Sequence, residues 1–162
     1  MKHAFIGIGS NLGDRRRNCL DAVEQLKGIL GCNVIGCSRW YLSSPVGMED
    51  QDWFVNGVAS LEAGISAREL LSRLCSIEAG MGRVRVEKWG PRVLDLDLLL
   101  YGTDLVSEAD LIIPHPSMHL RRFVLVPLAE IAPNVVHPVL GKTASRMLQE
   151  LQAEDQRVAL LE

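Results

Sequence analysis

The stretch Leu94-Asp95-Leu96-Asp97-Leu98 alternates apolar and acidic side chains with a period of two. That alternation belongs to a strand with one apolar and one polar face. On a strand Asp95 and Asp97 stand side by side; on a helix they would diverge. Neighbouring carboxylates repel by about a few kcal/mol at the effective dielectric near a protein surface. They stay ionised together if a cation sits between them or if water screens them well. Oxygen ligands this few in number suit Mg²⁺, which keeps several waters and takes its other ligands from phosphates. A solvated edge strand with two surface acids fits the same pattern, so Asp-Leu-Asp alone leaves both readings open.

The preceding segment, residues 82–92, favours the cation. It carries Arg83, Arg85, Lys88 and Arg92 against one acid, Glu87, and its two glycines and one proline read as a mobile loop. A basic loop feeding a paired-carboxylate strand suggests a polyphosphate with its metal ions. The acids would meet the metals, and the planar arginine forks would neutralise charge that develops during transfer. A solubilising loop is the plain alternative.

At 162 residues the chain is read as one domain, 1–162, large enough for a substantial core. Its net charge of −3 argues against a general nucleic-acid binder. No apolar run approaches the ~20 residues needed to cross a bilayer, and no signal-peptide core precedes the first turn. A soluble, cytoplasmic protein is expected, acting as a monomer with no nucleic-acid or membrane partner. Cys19, Cys32, Cys37 and Cys75 lack Cys-x-x-Cys spacing and are expected as free thiols, mostly packed as small hydrophobes.

Taken in order, residues 3–10 read as a buried first strand. Asp14 caps a helix with Leu20, Val23, Leu26 and Leu30 on one face, ended by Gly31. Residues 33–42 read as a second strand, 43–52 as a loop, and 53–61 as a third strand. Ser66-Ala67-Arg68-Glu69 is a capping box that starts a helix with Leu70, Leu74, Ile77 and Met81 as its stripe. The basic loop and the aspartate strand follow. This β-α-β-β-α-β order predicts an α+β fold with a ferredoxin-like core, an antiparallel sheet flanked by helices. A C-terminal extension adds a helix over 122–132 despite Pro127, a terminal helix from Thr143 to about 153, and an edge strand over 158–161.

Three apparent motifs are set aside. Gly7-x-Gly9-x-x-x-Gly13 lacks the third glycine of a dinucleotide fingerprint, since Leu12 stands in its place. Gly141-Lys142-Thr143 lacks the first glycine of a P-loop. His115 and His119 are four apart, but Pro114 and Pro116 oppose the helix a zinc pair would need.

The chain resembles the 6-hydroxymethyl-7,8-dihydropterin pyrophosphokinases of the folate pathway. The likeness rests on Gly9-Ser10-Asn11-Leu12-Gly13, Phe54-Val55-Asn56, Gly82-Arg83-Val84-Arg85 and Trp89-Gly90-Pro91-Arg92-x-Leu94-Asp95-Leu96-Asp97. It continues through Pro114-His115-Pro116 and Arg121-x-Phe123-Val124-Leu125-x-Pro127-Leu128, and covers nearly the whole chain. The resemblance implies transfer of the pyrophosphoryl group of ATP to the hydroxymethyl group of a reduced pterin, giving AMP. It implies two Mg²⁺ ions at Asp95 and Asp97, and Arg83 and Arg92 assisting transfer. His115 and Arg121 would contact phosphates, with adenine near Glu78, Leu98 and Ile112, largely through backbone groups. Ser43, Ser44, Val46, Phe54, Asn56, Asp95 and Phe123 would hold the pterin, with Trp89 closing over it. This agrees with chemistry: a flat heterocycle favours aromatic faces, and its amide edge matches one asparagine's donor and acceptor. For Phe54 and Phe123 the sequence alone favours simple core packing.

Both polar loops, 43–52 and 82–92, are expected to close over the substrates and exclude water. Two other classes share the fold. An RNA-binding module would need exposed aromatics on central strands in a basic field. A regulatory nucleotide-binding domain would bind without turnover.

Overall fold

The computed structural model describes residues 1–45, 50–82 and 93–161. Its elements are β1 (Lys2–Ser10), α1 (Arg15–Lys27), β2 (Cys32–Cys37), β3 (Tyr41–Ser43), β4 (Phe54–Ala63), α2 (Ala67–Gly80) and β5 (Asp95–Tyr101). There follow β6 (Val106–Ser107), β7 (Ile112–Ile113), a 3₁₀ turn (Met118–Leu120), α3 (Arg122–Ile131), α4 (Ala144–Glu150) and β8 (Val158–Leu160). The main sheet runs β5-β1-β4-β3-β8, with β2 also paired to β4, and every pairing is antiparallel. With β2 and β3 counted together as the second core strand, this is the ferredoxin-like order expected from the sequence.

The two sheet faces carry separate cores. On one, α1 and α2 cover Ile6, Ile8, Val55, Ala59, Leu96 and Leu98 with Cys19, Val23, Leu26, Leu70 and Leu74. On the other, α3 and α4 cover Phe5, Val58 and Leu99 with Val124, Leu125, Leu128 and Met147. The C-terminal extension therefore closes part of the face that the first two helices leave bare. Pro127 lies inside α3 and is itself buried. It forgoes one helical hydrogen bond, and the packed apolar stripe outweighs that loss.

Several boundaries differ from expectation. In α1 the buried positions are Cys19, Ala22, Val23 and Leu26, whereas Leu20 and Leu30 are exposed. Small residues let α1 lie close to the sheet, so its stripe runs through Cys19 and Ala22. The helix ends at the Gly28 cap, and Gly31 instead takes the positive φ of the following turn. The expected strand over 33–42 is two strands, broken at Ser38. There Ser38 Oγ accepts the Val58 N–H at 2.9 Å, the place of a ladder carbonyl, and donates to Arg39 O. The chain steps aside and Trp40 folds onto the sheet over Gly57, where a Cβ would lie 2.5 Å from Trp40 Cζ3. Ser43, expected in a loop, pairs with Phe54 as the last residue of β3. α4 stops at Glu150, short of the expected 153, and Leu151 turns to extended backbone. Cys37 and Cys75 are exposed, so only Cys19 and Cys32 pack as hydrophobes; all four are free thiols.

The N-cap residues accept as read, but the Ser66 capping box is only half formed, since the Glu69 carboxylate meets Arg73 at 3.4 Å. Asp14 accepts from Arg17 N at 3.1 Å, Ser66 from Glu69 N at 3.1 Å and Thr143 from Arg146 N at 3.1 Å. Among the described residues no helix is long and apolar enough to cross a membrane.

Gly57→Ala is expected to destabilise by about 1–3 kcal/mol through overpacking against Trp40. In a Trp40→Phe background the cost should shrink, and a double-mutant cycle on urea midpoints reads that coupling.

Candidate functional site

β1 is flanked on both sides, and its register aligns the site. Gly9 pairs with Asp95 on β5 and with Asn56 on β4, and Asn56 pairs in turn with Tyr41 on β3. One row below, Gly7 lies between Asp97 and Val58. Antiparallel partners project to the same face, so Asp95, Asp97 and Asn56 share the α3 face with Phe54 and Ser43. Asp95 and Asn56 stand two strand spacings apart, about 10 Å. Between them Gly9 contributes no side chain. A Cβ there would lie 2.8 Å from Asn56 Nδ2 and 3.7 Å from Phe54 Cδ2. A Cβ at Gly7 would lie 3.7 Å from Asp97 Cβ. The two glycines thus let the Asn56 amide close onto the β1 backbone at Gly9 and the Leu99 side chain reach Gly7, between the paired acids and the amide.

The acids are half-buried, while Leu96 between them is buried. Arg121, at the start of α3, brings Nη1 to 4.0 Å from Asp97 Oδ2, and its guanidinium lies 5.6 Å over the Phe123 ring. His115 is anchored by its own N–H to Leu99 O at 2.9 Å, and its Nδ1 accepts from Ser117 N at 3.1 Å. An Nδ1 that accepts places the neutral ring's proton on Nε2, a ready donor to an anionic oxygen. Burial, reinforced by Arg121 and opposed by Asp95, pushes the His115 imidazole down to about 4. It is therefore neutral at physiological pH.

On the amide side, Asn56 is buried and its Oδ1 accepts from the Ser43 hydroxyl. Ser44 is held by β8, with its N–H donating to Arg157 O and its Oγ accepting from Arg157 N, both at 2.9 Å. The Arg157 guanidinium covers the Trp53 ring at 4.9 Å. Phe54 and Phe123 are half-buried. Below them Asn11 ties the segment before β4 to the end of β1. It donates to Gln51 Oε1 at 2.7 Å and to Asp52 O at 3.3 Å, and Arg15 donates to Trp53 O at 2.6 Å.

The expected nucleotide residues separate. Ile112 and His115 line a cleft of about 410 Å³ with Pro114, His119 and His137. Leu98 and Glu78 do not line it: both are buried, Leu98 in the α1/α2 core and Glu78 with its carboxylate accepting the Leu96 N–H at 2.8 Å. Val46, Arg83, Trp89 and Arg92, with Arg85 and Lys88, lie outside the described residues. Sequence reasoning missed Gly7 and Gly9 as the close-packed positions between the acids and the amide, Asn11 as the brace, and His137 facing His119 at 6.0 Å between ring centroids. Gly7 was visible only in a failed fingerprint, and Gly9 there and in the motif over residues 9–13. Their value depends on which strands flank them.

Among the described residues no cluster of three His, Cys, Asp or Glu groups exists. Asp95 and Asp97 offer two carboxylates on one sheet face, a set that fits an oxygen-ligated Mg²⁺ completed by water and phosphate.

The fold is of the ferredoxin-like α+β class, with two acids and an amide on one face of its sheet. Residues 5–133 match the profile of the 7,8-dihydro-6-hydroxymethylpterin-pyrophosphokinase family (HPPK). The chain belongs to that family. It is 45% identical over 148 residues to the 2-amino-4-hydroxy-6-hydroxymethyldihydropteridine pyrophosphokinase of Synechocystis, covering 91% of this chain and 75% of that one. It is 43% identical to the enzyme of that name from Methylorubrum extorquens, covering 93% and 94% of the two chains. The crystal structure of wild-type Plasmodium falciparum HPPK-DHPS superposes with a TM-score of 0.75 at 14% identity. That match supports the fold alone. It covers 92% of this chain and 44% of the longer one.

The His115 ring binds its proton near pH 4 when folded and near the ordinary 6.5 when unfolded. Between those values the unfolded chain binds more protons, so stability from this residue is present above 6.5 and lost as pH falls toward 4. Urea midpoints measured from pH 7 to about pH 4 should therefore fall more steeply in the wild type than in His115→Gln.

Proposed function

We propose that the chain, as one pyrophosphokinase domain over 1–162, transfers the pyrophosphoryl group of ATP to the hydroxymethyl group of 6-hydroxymethyl-7,8-dihydropterin. AMP and the pterin diphosphate, an intermediate of tetrahydrofolate biosynthesis, are the products. The observation that carries this reading is the row Asp95, Gly9, Asn56 across three strands. It sets an amide able to read a pterin edge two strand spacings from acids able to hold the phosphate's counter-ions.

Asp95 and Asp97 would hold two Mg²⁺ ions, which neutralise the triphosphate and lower the cost of deprotonating the attacking hydroxyl. The protein's own groups do the rest. Asn56 offers donor and acceptor to the pterin's amide edge, steadied by Ser43. Phe54 and Phe123 provide its ring faces, and the family resemblance assigns Ser44, Val46 and Trp89 to the pterin as well. His115 donates Nε2–H to a phosphate oxygen without adding charge, and Arg121 adds a fixed cation beside Asp97. Arg83 and Arg92 meet charge that develops on the transferring group. The adenine lies by Ile112, Leu98 and Glu78. Only Ile112 exposes side-chain surface there, so the other two contribute through the main chain.

The net charge of −3 and the local placement of the cations support small-molecule substrates, with neither nucleic acid nor membrane as partner. We read the enzyme as a cytoplasmic monomer. A binding-only regulatory domain would not need transfer groups beside a hydroxyl acceptor, and the named pyrophosphokinase relatives do not favour it.

A coupled assay for AMP release, with and without hydroxymethyldihydropterin, tests the reaction. AMP should appear only when the pterin is present. Asp97→Ala should keep the fold and retain less than about a tenth of wild-type turnover; more than that removes Asp97 from the metal site. Arg92→Ala should lower kcat far more than it weakens ATP binding. Equal losses would contradict a role in the transition state.

A further inference from the structure

β5 is the outer strand of the main sheet, with β1 as its one ladder partner among the described residues. In an antiparallel pair alternate N–H groups face away from the partner and need another acceptor. Leu96, paired with Ile8 and lying between the two aspartates, has its N–H satisfied at 2.8 Å by Glu78 Oε2 from the last turns of α2. Glu78 is 5% exposed. Burying a carboxylate is costly, and water or a neutral amide could satisfy an edge N–H with less desolvation. A charge-assisted bond is shorter and stiffer than a neutral one. Here it acts on the one peptide whose position sets the spacing of Asp95 and Asp97.

We propose that Glu78 is a positioning residue for the metal site, fixing the Leu96 backbone so that both flanking carboxylates keep one geometry for the cations. The inference rests on the reading of Asp95 and Asp97 as metal ligands. The Glu78 carboxylate acts on the Leu96 peptide, whereas the proposed adenine contact would use its main chain. It acts from the opposite side of the strand, as outer partners orient the ligands of other metal centres. It also couples α2 to the site, since the helix turn that carries Glu78 cannot shift without moving the peptide between the aspartates.

Three variants separate reach from charge. Glu78→Gln keeps the length and an acceptor oxygen. Glu78→Asp keeps the charge and loses one methylene of reach. Glu78→Ala removes both. The first readout is hydrogen exchange at the Leu96 amide in metal-free protein, and the second is Mn²⁺ affinity, by electron paramagnetic resonance, of the complex with a non-hydrolysable ATP analogue. Glu78→Asp and Glu78→Ala should lose protection at Leu96 and bind Mn²⁺ about tenfold or more weakly, the usual cost of removing an outer-shell partner. Glu78→Gln should restore most of both. Glu78→Asp keeps the test alive if Glu78→Ala does not fold. Unchanged Mn²⁺ affinity in Glu78→Asp, with a lower Tm, would reduce Glu78 to an edge cap and overturn the proposal. Weak Mn²⁺ binding in Glu78→Gln with Leu96 protection fully restored would overturn it, because the charge would then act on the cations without the peptide. Failure of the wild-type complex to bind Mn²⁺ would overturn the metal reading as well, so the two ideas fail by different results.

Discussion

The site depends on β1 being paired on both edges at once. Its ladder to β4 fixes Gly9 against Asn56, and its ladder to β5 fixes Gly9 against Asp95. A slip of one residue on either side would send the acids or the amide to the opposite face, into the apolar layer under α1 and α2. That layer prevents the slip. Ile6 and Ile8 on β1, Val55 and Ala59 on β4, and Leu96 and Leu98 on β5 are all buried there. Moving any of them outward would expose large apolar surface, and moving Asp95 or Asp97 inward would bury charge. One hydrophobic core therefore sets the register, and the register sets the chemistry on the other side of the sheet.

That other side is only partly packed. α3 and α4 cover it from Phe5 and Val58 to Leu99, and Asp95, Asp97 and Asn56 lie on the same face. Arg121 marks the border: it begins α3, lies over Phe123 and reaches toward Asp97. The helix that seals half of the face thereby delivers a cation to the edge of the other half. Tyr41 on β3 ties the same helix to the sheet through its hydroxyl donated to Glu130.

Most of the element order was legible in the sequence because strands and helices announced themselves by period and by cap. The Asp95/Asp97 face, the Asp14, Ser66 and Thr143 caps and the βαββαβ order were of this kind. What was not legible depended on distant partners. The break at Ser38 arises from a hydroxyl that replaces a ladder carbonyl opposite Val58, and nothing local in Cys-Ser-Arg-Trp signals it. The α1 stripe through Cys19 and Ala22 reflects how near the helix lies to the sheet. At the site, the acids, the asparagine and the histidine could be named from residue type and motif. Their arrangement could not, because Gly7 and Gly9 acquire meaning only when β4 and β5 are known to flank them. Glu78 is a third case: a helical acid beside an apolar stripe gives no hint that its acceptor role lies across to a strand.

One contact bears on how the protein is made. The wall around Ser43 and Ser44 is finished by Arg157 and by β8 pairing with β3, across 113 residues of sequence between Ser44 and Arg157. Synthesis proceeds from the N-terminus, and the strands bearing Asn56 and Asp95 emerge from the ribosome long before that last edge. A nascent chain can therefore pair β1, β4 and β5 first, while the wall around Ser43 and Ser44 waits for residues 157–160. That wall closes late, as a by-product of pairing an early strand with one far down the chain.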